Sequence, residues 1–491
     1  MARGATHVVG LDIGTQTIKL VELRLSGTEV VLVGRPVVIP TPPDSVVDGR
    51  VVDEDAVSEA IREAVAEYGL GTKKVITSVG GQSNVDVRIP ELPRMDENEL
   101  EEGVRWELDR QSRFPVEEII YDFQPINHPG VDPQSENMEV LLAIAHEEMV
   151  NSHAETILSA RLNPIAIDVE PLALGRSLVE LGPEELMQST VVNVNIGHSG
   201  SLISIFCQGV PVFIRNVPTG GEVLTTAVRE SVQLTQQDAE RAKRQFADMA
   251  ILASFEGEEG EEYEDYEDES GSDTFLDEDS DSVFELSDGD AEYAEEFAET
   301  GDATDEMATR VDIDAQAYEL PPDETAAAEK EQTEDEAEAV SAETEIAPLP
   351  PEEMDEKNED EQAVPVAEAD LTEDVPSDIP EDVRWACEPV SEAMLDALSE
   401  LANDIRLSVQ RYQNEHRNEH ISKIIFSGGS ASMRGLAQFM EIEIGMGIPT
   451  EVSNPWTNIE IDTDSVSETY LTEIGPTASI AVGLALRDML E

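Results

Sequence analysis

The chain has 491 residues, enough for two or three domains, and 40% of them are hydrophobic, enough for substantial cores. It carries 108 acidic against 30 basic side chains, a formal net charge of −78, which excludes nonspecific binding to nucleic acid or to an anionic membrane surface. The charge is uneven: about 50 acids and 3 bases fall between residues 255 and 380, so roughly −47 lies in one block.

In chain order, residues 7–39 run or alternate apolar (HVVGLDI, TIKLVELRL, VVLVGRPVVI) and predict three strands joined by tight turns. A Pro-rich stretch, PTPPDS, leads to a helix over about 53–68 with Val57, Ala60, Ile61, Ala64 and Val65 on one face. Strand KKVITSV and the pair Gly80–Gly81 follow. Residues 84–162 predict a small inserted α/β unit: strand NVDVRI, a helix presenting Leu100, Val104 and Leu108, strand MEVLLAIAH, and a helix from about 147. Trp106, on the first of these helices, is expected to pack. Strand PIAID then reaches Glu170–Pro171 and a helix start.

A second hairpin system covers 190–217, and two helices are expected over about 219–250. Residues 253–382 are dense in Glu, Asp, Ala, Pro, Ser and Thr with no sustained apolar period. Such a stretch cannot bury enough surface to offset chain entropy, so a long disordered acidic insertion is expected. Pattern resumes near Trp385 with a helix to about 413. Strand ISKIIF delivers Ser427-Gly428-Gly429-Ser430 to another helix, and a small-residue helix (Ala478, Ala481, Gly483, Ala485) is expected over about 475–490. Cys207 and Cys387 are the only cysteines, which fits a reducing compartment. The start MARGATHVVGLDIG lacks a signal pattern, and no apolar run of 18 residues occurs. A cytoplasmic protein without direct membrane insertion is the expectation.

Two turns carry the chemistry. In VVGLDIGTQTIK, Asp12 is delivered to a tight Gly14–Thr15 turn, which offers backbone N–H groups and hydroxyls to a phosphate chain beside a carboxylate for a metal ion. TVVNVNIGHSGSLISIF at 190–206 repeats that strand–turn–strand, so a two-lobed nucleotide clamp is indicated. The glycines of the Ser427–Ser430 turn let a ligand approach a helix N-terminus. Lys19 reads as a phosphate ligand or as a solvated edge lysine. Glu240 and Lys243, one helical turn apart, read as a pocket pair or as a surface pair worth a few tenths of a kcal/mol. His416 and His420 have metal-binding spacing for one helix face, but no third ligand accompanies them.

The order of these pieces resembles the actin-like ATPase superfamily, which includes actin, the heat-shock chaperone ATPase, sugar kinases, MreB and FtsA. It resembles most the PilM family of type IV pilus assembly. VVGLDIGTQTIKLVEL, IPELPRMDENELEEGVRWELDRQSRFPVEEIIYDFQ, AIDVEPLAL, NVPTGGEVLTTAV, LANDIRLSVQRYQ and IIFSGGSASMRGL carry the likeness. It implies an α/β, actin-like two-lobed ATPase fold made of duplicated ribonuclease H-like domains. Residues 7–83, 163–188 and 475–490 would form lobe one, 84–162 the inserted subdomain, and 189–252 with 383–474 lobe two.

The resemblance also implies roles at an ATP and Mg²⁺ site. Asp12 would hold Mg²⁺ through water, while Gly14, Thr15, Gln16, Thr17 and Lys19 grip the phosphates. Gly197, Ser199 and Gly200 would form the opposing hairpin. Glu170 matches the position that orients the attacking water. Gly220 and Gly221 would line the cleft, Glu240 and Lys243 would meet ribose and base, and Gly428, Gly429 and Ser430 would complete the adenosine pocket. One departure stands out: where the family's second hairpin begins with Asp, this chain has Asn195, which brings no charge to a metal site. ATP binding with slow or negligible hydrolysis is therefore expected.

Among partners, the resemblance implies the short cytoplasmic N-terminal peptide of the inner-membrane protein PilN, and through it PilO, PilP and the assembly motor. Self-association is left open. An FtsA-like division filament is the alternative, disfavoured because GLALRDMLE ends on a core helix without a linker and basic amphipathic helix. A small-molecule kinase of the same fold is a third, for which no second carboxylate motif stands out.

Overall fold

The computed structural model describes residues 6–128, 135–255, 381–416, 419–461 and 466–490. The disordered insertion expected over 253–382 therefore lies almost wholly outside the described residues. Near the N-terminus, β1 (His7–Ile13), β2 (Thr17–Ser26), β3 (Glu29–Leu32) and β4 (Val37–Pro40) form four strands rather than three. The reason is local: Gly34 takes a left-handed φ of +68° and Pro36 follows, so VVLVGRPVVI cannot continue as one strand. A two-residue hairpin, β5 (Val46–Val47) and β6 (Arg50–Val51), precedes α1 (Glu54–Tyr68). Asp53 caps that helix by accepting from the Ala56 N–H at 3.0 Å.

After β7 (Lys74–Val79) comes the inserted unit of β8 (Val85–Arg88), β9 (Glu91–Pro93), α2 (Glu97–Gln111), β10 (Ile119–Pro125) and β11 (Asn137–His146). Leu100, Val104 and Leu108 of α2 pack on Tyr121, Val140 and Leu142 as a separate core. Trp106 does not pack inward. It is 60% exposed, with the Arg110 guanidinium 4.5 Å from its ring centre, because the inward face of α2 is already filled at the i, i+4, i+8 positions. Helix α3 (Glu147–Ser159) returns to the first lobe, where Ile157 joins Val57 and Ile61 of α1 in one core.

Next come β12 (Asn163–Val169), α4 (Glu170–Gly175) with a looser turn through Glu180, and α5 (Glu184–Met187). The second lobe contains β13 (Thr190–Ile196), β14 (Ser201–Cys207), β15 (Val210–Val217), α6 (Gly221–Val232), α7 (Gln236–Phe246) and α8 (Met249–Phe255). It continues with α9 (Glu381–Ala393), α10 (Leu395–Glu415), β16 (Ile421–Ser427), α11 (Leu436–Ile444) and β17 (Thr450–Val452). One helix expected from Trp385 to about 413 is thus two. His416 lies beyond the last helical residue, so the one-face spacing read for His416 and His420 does not arise. β18 (Ile459–Glu460) pairs parallel with β3 in the first sheet, and α12 (Glu468–Leu486) closes the described fold.

The two large sheets share one topology. The first runs β12-β7-β1-β2-β3-β18, and the second β15-β14-β13-β16-β17. In each, an antiparallel meander (β1–β3, β13–β15) is extended beside its first strand by two parallel strands, β7 and β12 or β16 and β17. The chain is therefore a duplicated, ribonuclease H-like, actin-like two-lobed fold with an inserted α/β unit.

Helix α12 joins the halves. It starts at Glu468, not near 475, because Ser467 caps it by accepting from Tyr470 N–H at 3.2 Å, and Pro476 is accommodated inside. A Cβ on Gly10 of β1 would lie 1.8 Å from the Ala481 carbonyl oxygen, and one on Gly483 1.8 Å from that of Ala173. Both neighbours are backbone, so neither can swing away. Gly483→Ala is expected to cost about 3 kcal/mol or more, whereas Gly429→Ala, with nothing within 4 Å of the added carbon, stays within about 0.5 kcal/mol. Urea midpoints at unchanged slope check both.

Candidate functional site

The first hairpin turn is held from below. Gly14 N–H donates to Thr17 O at 3.1 Å, the Thr41 hydroxyl donates to Gly14 O at 2.6 Å, and Thr41 N–H donates to Gln16 O at 3.0 Å. β1 and β2 place Asp12 opposite Lys19, and their charges meet at 3.1 Å. Lys19 is therefore neither solvated nor at an edge; it points into the turn, 2.9 Å from where a Cβ on Gly14 would sit.

The second hairpin is built alike. Gly197 N–H donates to Gly200 O at 3.0 Å, and Gly221 N–H donates to Gly197 O at 2.8 Å, so the start of α6 docks on the turn. Glycine is needed here: a Cβ on Gly220 would lie 2.5 Å from Gly200 N, and one on Gly200 1.8 Å from Gln82 Nε2. Gln82 itself donates to Val217 O at 2.7 Å, linking the base of the inserted unit to lobe two.

Asn195 occupies on β13 the place Asp12 occupies on β1, one residue before the strand's last, and its register partner is Leu202 where Asp12 has Lys19. The amide is buried and its Oδ1 accepts from Ser427 Oγ at 3.3 Å. The two hairpins touch across the cleft through Thr15 Oγ1 and Ser199 Oγ at 3.4 Å and Gln16 Nε2 and His198 Nε2 at 3.2 Å.

Glu170 opens α4 beside them. The residue is half-buried, but its carboxyl faces inward: a Cβ on Gly80 would lie 2.1 Å from Oε1. Burial, reinforced by the Asp12 charge and opposed by Lys19, pushes its pKa up to about 7.

On the far side, Lys243 is buried rather than on the surface. Its Nζ donates to Gly221 O at 2.9 Å and Thr225 Oγ1 at 2.8 Å and lies 2.8 Å from Glu240 Oε2. Burial would raise Glu240, but the Lys243 charge and hydrogen bonds from Lys243, Thr225 and Arg244 outweigh it and hold the carboxyl down to about 2. The pair thus braces the first turn of α6. A Cβ on Gly221 would lie 2.9 Å from Ser430 Oγ and 3.3 Å from Lys243 Nζ, so these groups converge at one point. Gly428 has φ +91° and a Cβ there would strike Ile196 O at 2.4 Å, while Gly429 is open.

The structure therefore brings the expected residues to one cleft from both lobes. Thr41, Gln82, His198 and Thr225, which hold the turns, were not singled out in the sequence, whereas Ser427 was read there as the first residue of the third turn. The donor set suits a phosphate chain: glycine turns with no Cβ, two hydroxyls, and the Lys19 ammonium. It suits a hydrated divalent cation less fully, because Asp12 and Glu170 are its carboxylates and Asp12 already faces Lys19.

The fold and this paired-hairpin cleft define an actin-like ATPase fold. The family model described as "Type IV pilus assembly protein PilM" matches residues 10–249 and 386–489. The chain belongs to the PilM family of type IV pilus assembly proteins. It is similar to the cell division protein FtsA of Bacillus subtilis, 26% identical over 257 residues, covering 48% of this chain and 57% of that one. It thus spans little more than half the length of that relative. Among solved structures it is similar to a PilM–PilN type IV pilus biogenesis complex (TM-score 0.62, 21% identity, 98% of each chain). It also aligns with the ethanolamine utilization protein EutJ of Carboxydothermus hydrogenoformans (TM-score 0.41, 13% identity, 98% of this chain and 90% of that one).

Two predictions arise from the cleft. Because the folded pKa of Glu170 lies above its unfolded value, the native state binds the extra proton between about pH 4.5 and 7, and stability falls as pH rises through that window. Glu170→Gln is expected to flatten this fall, which urea midpoints at pH 5 and 7.5 measure. Asn195→Asp places a buried carboxylate opposite Leu202, without the cation that Asp12 has. It is expected to lower stability by about 1–3 kcal/mol and to gain more from Mg²⁺–ATP than the parent does, read as thermal shifts with and without nucleotide.

Proposed function

We propose that the chain is an ATP-dependent binding module of type IV pilus assembly: it holds Mg²⁺–ATP between its lobes and a short peptide of PilN beside its inserted subdomain. The observation that carries the nucleotide reading is the contact of the two hairpins, Thr15 to Ser199 and Gln16 to His198. A phosphate chain entering there would exchange contacts between lobes for contacts with both. Gly14, Thr15, Gln16, Thr17 and Lys19 bind it from one side, and Gly197, Ser199 and Gly200 from the other. Asp12 would hold the hydrated cation, whose chemistry is to neutralise phosphate charge. Glu170 would position water. Gly220, Gly221, Glu240, Lys243, Gly428, Gly429 and Ser430 would surround the nucleoside. With Asn195 in place of a second carboxylate, hydrolysis is slow.

The peptide reading rests on a groove of about 280 Å³ between the inserted unit and both lobes. Phe123 and Leu141 line it from β10 and β11, Leu172 from α4, Arg176 from the turn after it, and Phe206 and Pro211 from lobe two. Among the described strands β10 pairs only with β11, so an extended segment can add along it by main-chain hydrogen bonds while side chains enter the groove. Through PilN the protein would sit at the inner membrane, connected to PilO, PilP and the motor; among the described residues no helix is long and apolar enough to cross a membrane.

Calorimetry and a pulldown with the PilN N-terminal peptide, each with and without ATP, test this. Phe123→Ala is expected to weaken the peptide about 10-fold or more and leave ATP affinity unchanged. Negligible peptide binding in both nucleotide states sinks the partner reading. ATP turnover as fast in the parent as in Asn195→Asp sinks the slow-hydrolysis reading.

A further inference from the structure

A second cluster of reactive side chains lies away from the nucleotide cleft, where the inserted unit meets the second lobe. His128 follows β10, Cys207 ends β14, and Glu419 lies between α10 and β16. Donor atoms of all three stand within 4.8 Å of one another. We propose that His128, Cys207 and Glu419 form a metal site of zinc type that ties the inserted subdomain to lobe two.

The chemistry of the set favours this class of ion. A thiolate and an imidazole select zinc-like cations over Mg²⁺ or Ca²⁺, which take oxygen ligands. Two anionic donors, Cys207 and Glu419, balance a divalent charge, and neutral His128 completes a three-ligand face with water in the fourth position. Four tetrahedral ligands at about 2.0–2.3 Å from an ion stand roughly 3.3–3.8 Å apart, so side-chain rotations of about an ångström close the site.

The surroundings are already those of ligands. His128 is fully buried at its ring and has Glu139 Oε2 2.9 Å from Nε2, the carboxylate partner that fixes a ligating imidazole. Glu419 is oriented by the Thr190 hydroxyl at 3.3 Å and by the Tyr412 hydroxyl. Tyr412 in turn stacks on His416 at 4.5 Å, and the His416 ring lies 6.0 Å from that of His128. Two carboxylates and a thiol thus meet around one imidazole.

The competing account is His128 hydrogen-bonded to Glu139 and lying near Glu419 without any metal. Because the chain is rich in carboxylates that bind cations loosely, the test reads the thiolate. Untagged full-length protein is loaded with Co²⁺ and scanned for the near-ultraviolet thiolate-to-cobalt band. The expected result is the band at about one cobalt per chain, its displacement by Zn²⁺, its loss in Cys207→Ser, and its retention in Cys387→Ser. His128→Asn and Glu419→Gln are expected to weaken cobalt binding about 10-fold or more. Circular dichroism follows folding, so if Cys207→Ser unfolds, the Glu419→Gln titration decides. No thiolate band in the folded parent, a band that survives Cys207→Ser, or unchanged affinity in Glu419→Gln overturns the site and leaves the hydrogen-bonded histidine.

Discussion

The structure depends on how closely α12 approaches both lobes. At Gly10 and Gly483 the helix meets backbone with no side chain between, and its apolar residues share one continuous core with β1, β2, α4 and strands of lobe two. From the lobe-two side, Gly428 N–H donates to Pro476 O at 2.8 Å, so the Ser427–Ser430 turn hangs on the same helix. Interiors packed this tightly transmit displacement rather than absorb it. The mutual placement of the hairpins therefore follows from the small residues of one C-terminal helix.

Within that frame a five-strand core is repeated in topology, but its charge is not. Lobe one presents an acid and a base, Asp12 and Lys19, at paired positions; lobe two presents Asn195 and Leu202 at the equivalent pair. The loss of the acid and the absence of the base belong together. A carboxylate at 195 would face an apolar partner in a buried site, where an unpaired charge costs several kcal/mol. The amide keeps an acceptor for Ser427 and removes that cost. The asymmetry leaves the charged pair of the two hairpins, Asp12 and Lys19, in lobe one alone.

Much of this was legible in the sequence, because hairpins are local. The strand–Gly–strand turns at 8–19 and 190–206 needed only neighbouring residues to form, and the register that pairs Asp12 with Lys19 follows from a three-residue connection between β1 and β2. What was not legible depended on distant parts of the chain. The spacing left Glu240 and Lys243 open as a pocket pair or a surface pair, and only the fold buries Lys243 against Gly221 and Thr225. The start of α12 was misread at Gly475–Pro476, since a Gly–Pro pair ends most helices, yet here Ser467 caps earlier and Gly475 lets Trp456 approach closely. Trp106 was expected inside because a large aromatic gains most from burial, but Leu100, Val104 and Leu108 had already filled the face. No spacing linked His128, Cys207 and Glu419, which come from three remote segments.

The cleft and the groove proposed above for nucleotide and peptide share one short element. α4 begins with Glu170, whose carboxyl faces Gly80 and the Asp12 charge, and two residues later Leu172 and then Arg176 line the groove. Asp168, just before the helix, lines the groove as well and holds Arg176 at 2.5 Å. Were a bound phosphate to shift Glu170, a helix of six residues would carry that shift to Leu172 in the groove wall. Such a link transmits only as much free energy as each ligand's preference between the two arrangements. The groove also takes Phe206 and Pro211 from lobe two, on the same strands that carry Ser199–Gly200 and Val217 at their other ends. Closure of the cleft on a nucleotide, as proposed, would therefore reach the groove from both walls, through α4 on one side and β14–β15 on the other. An actin-like fold can in this way couple nucleotide state to a peptide without fast hydrolysis.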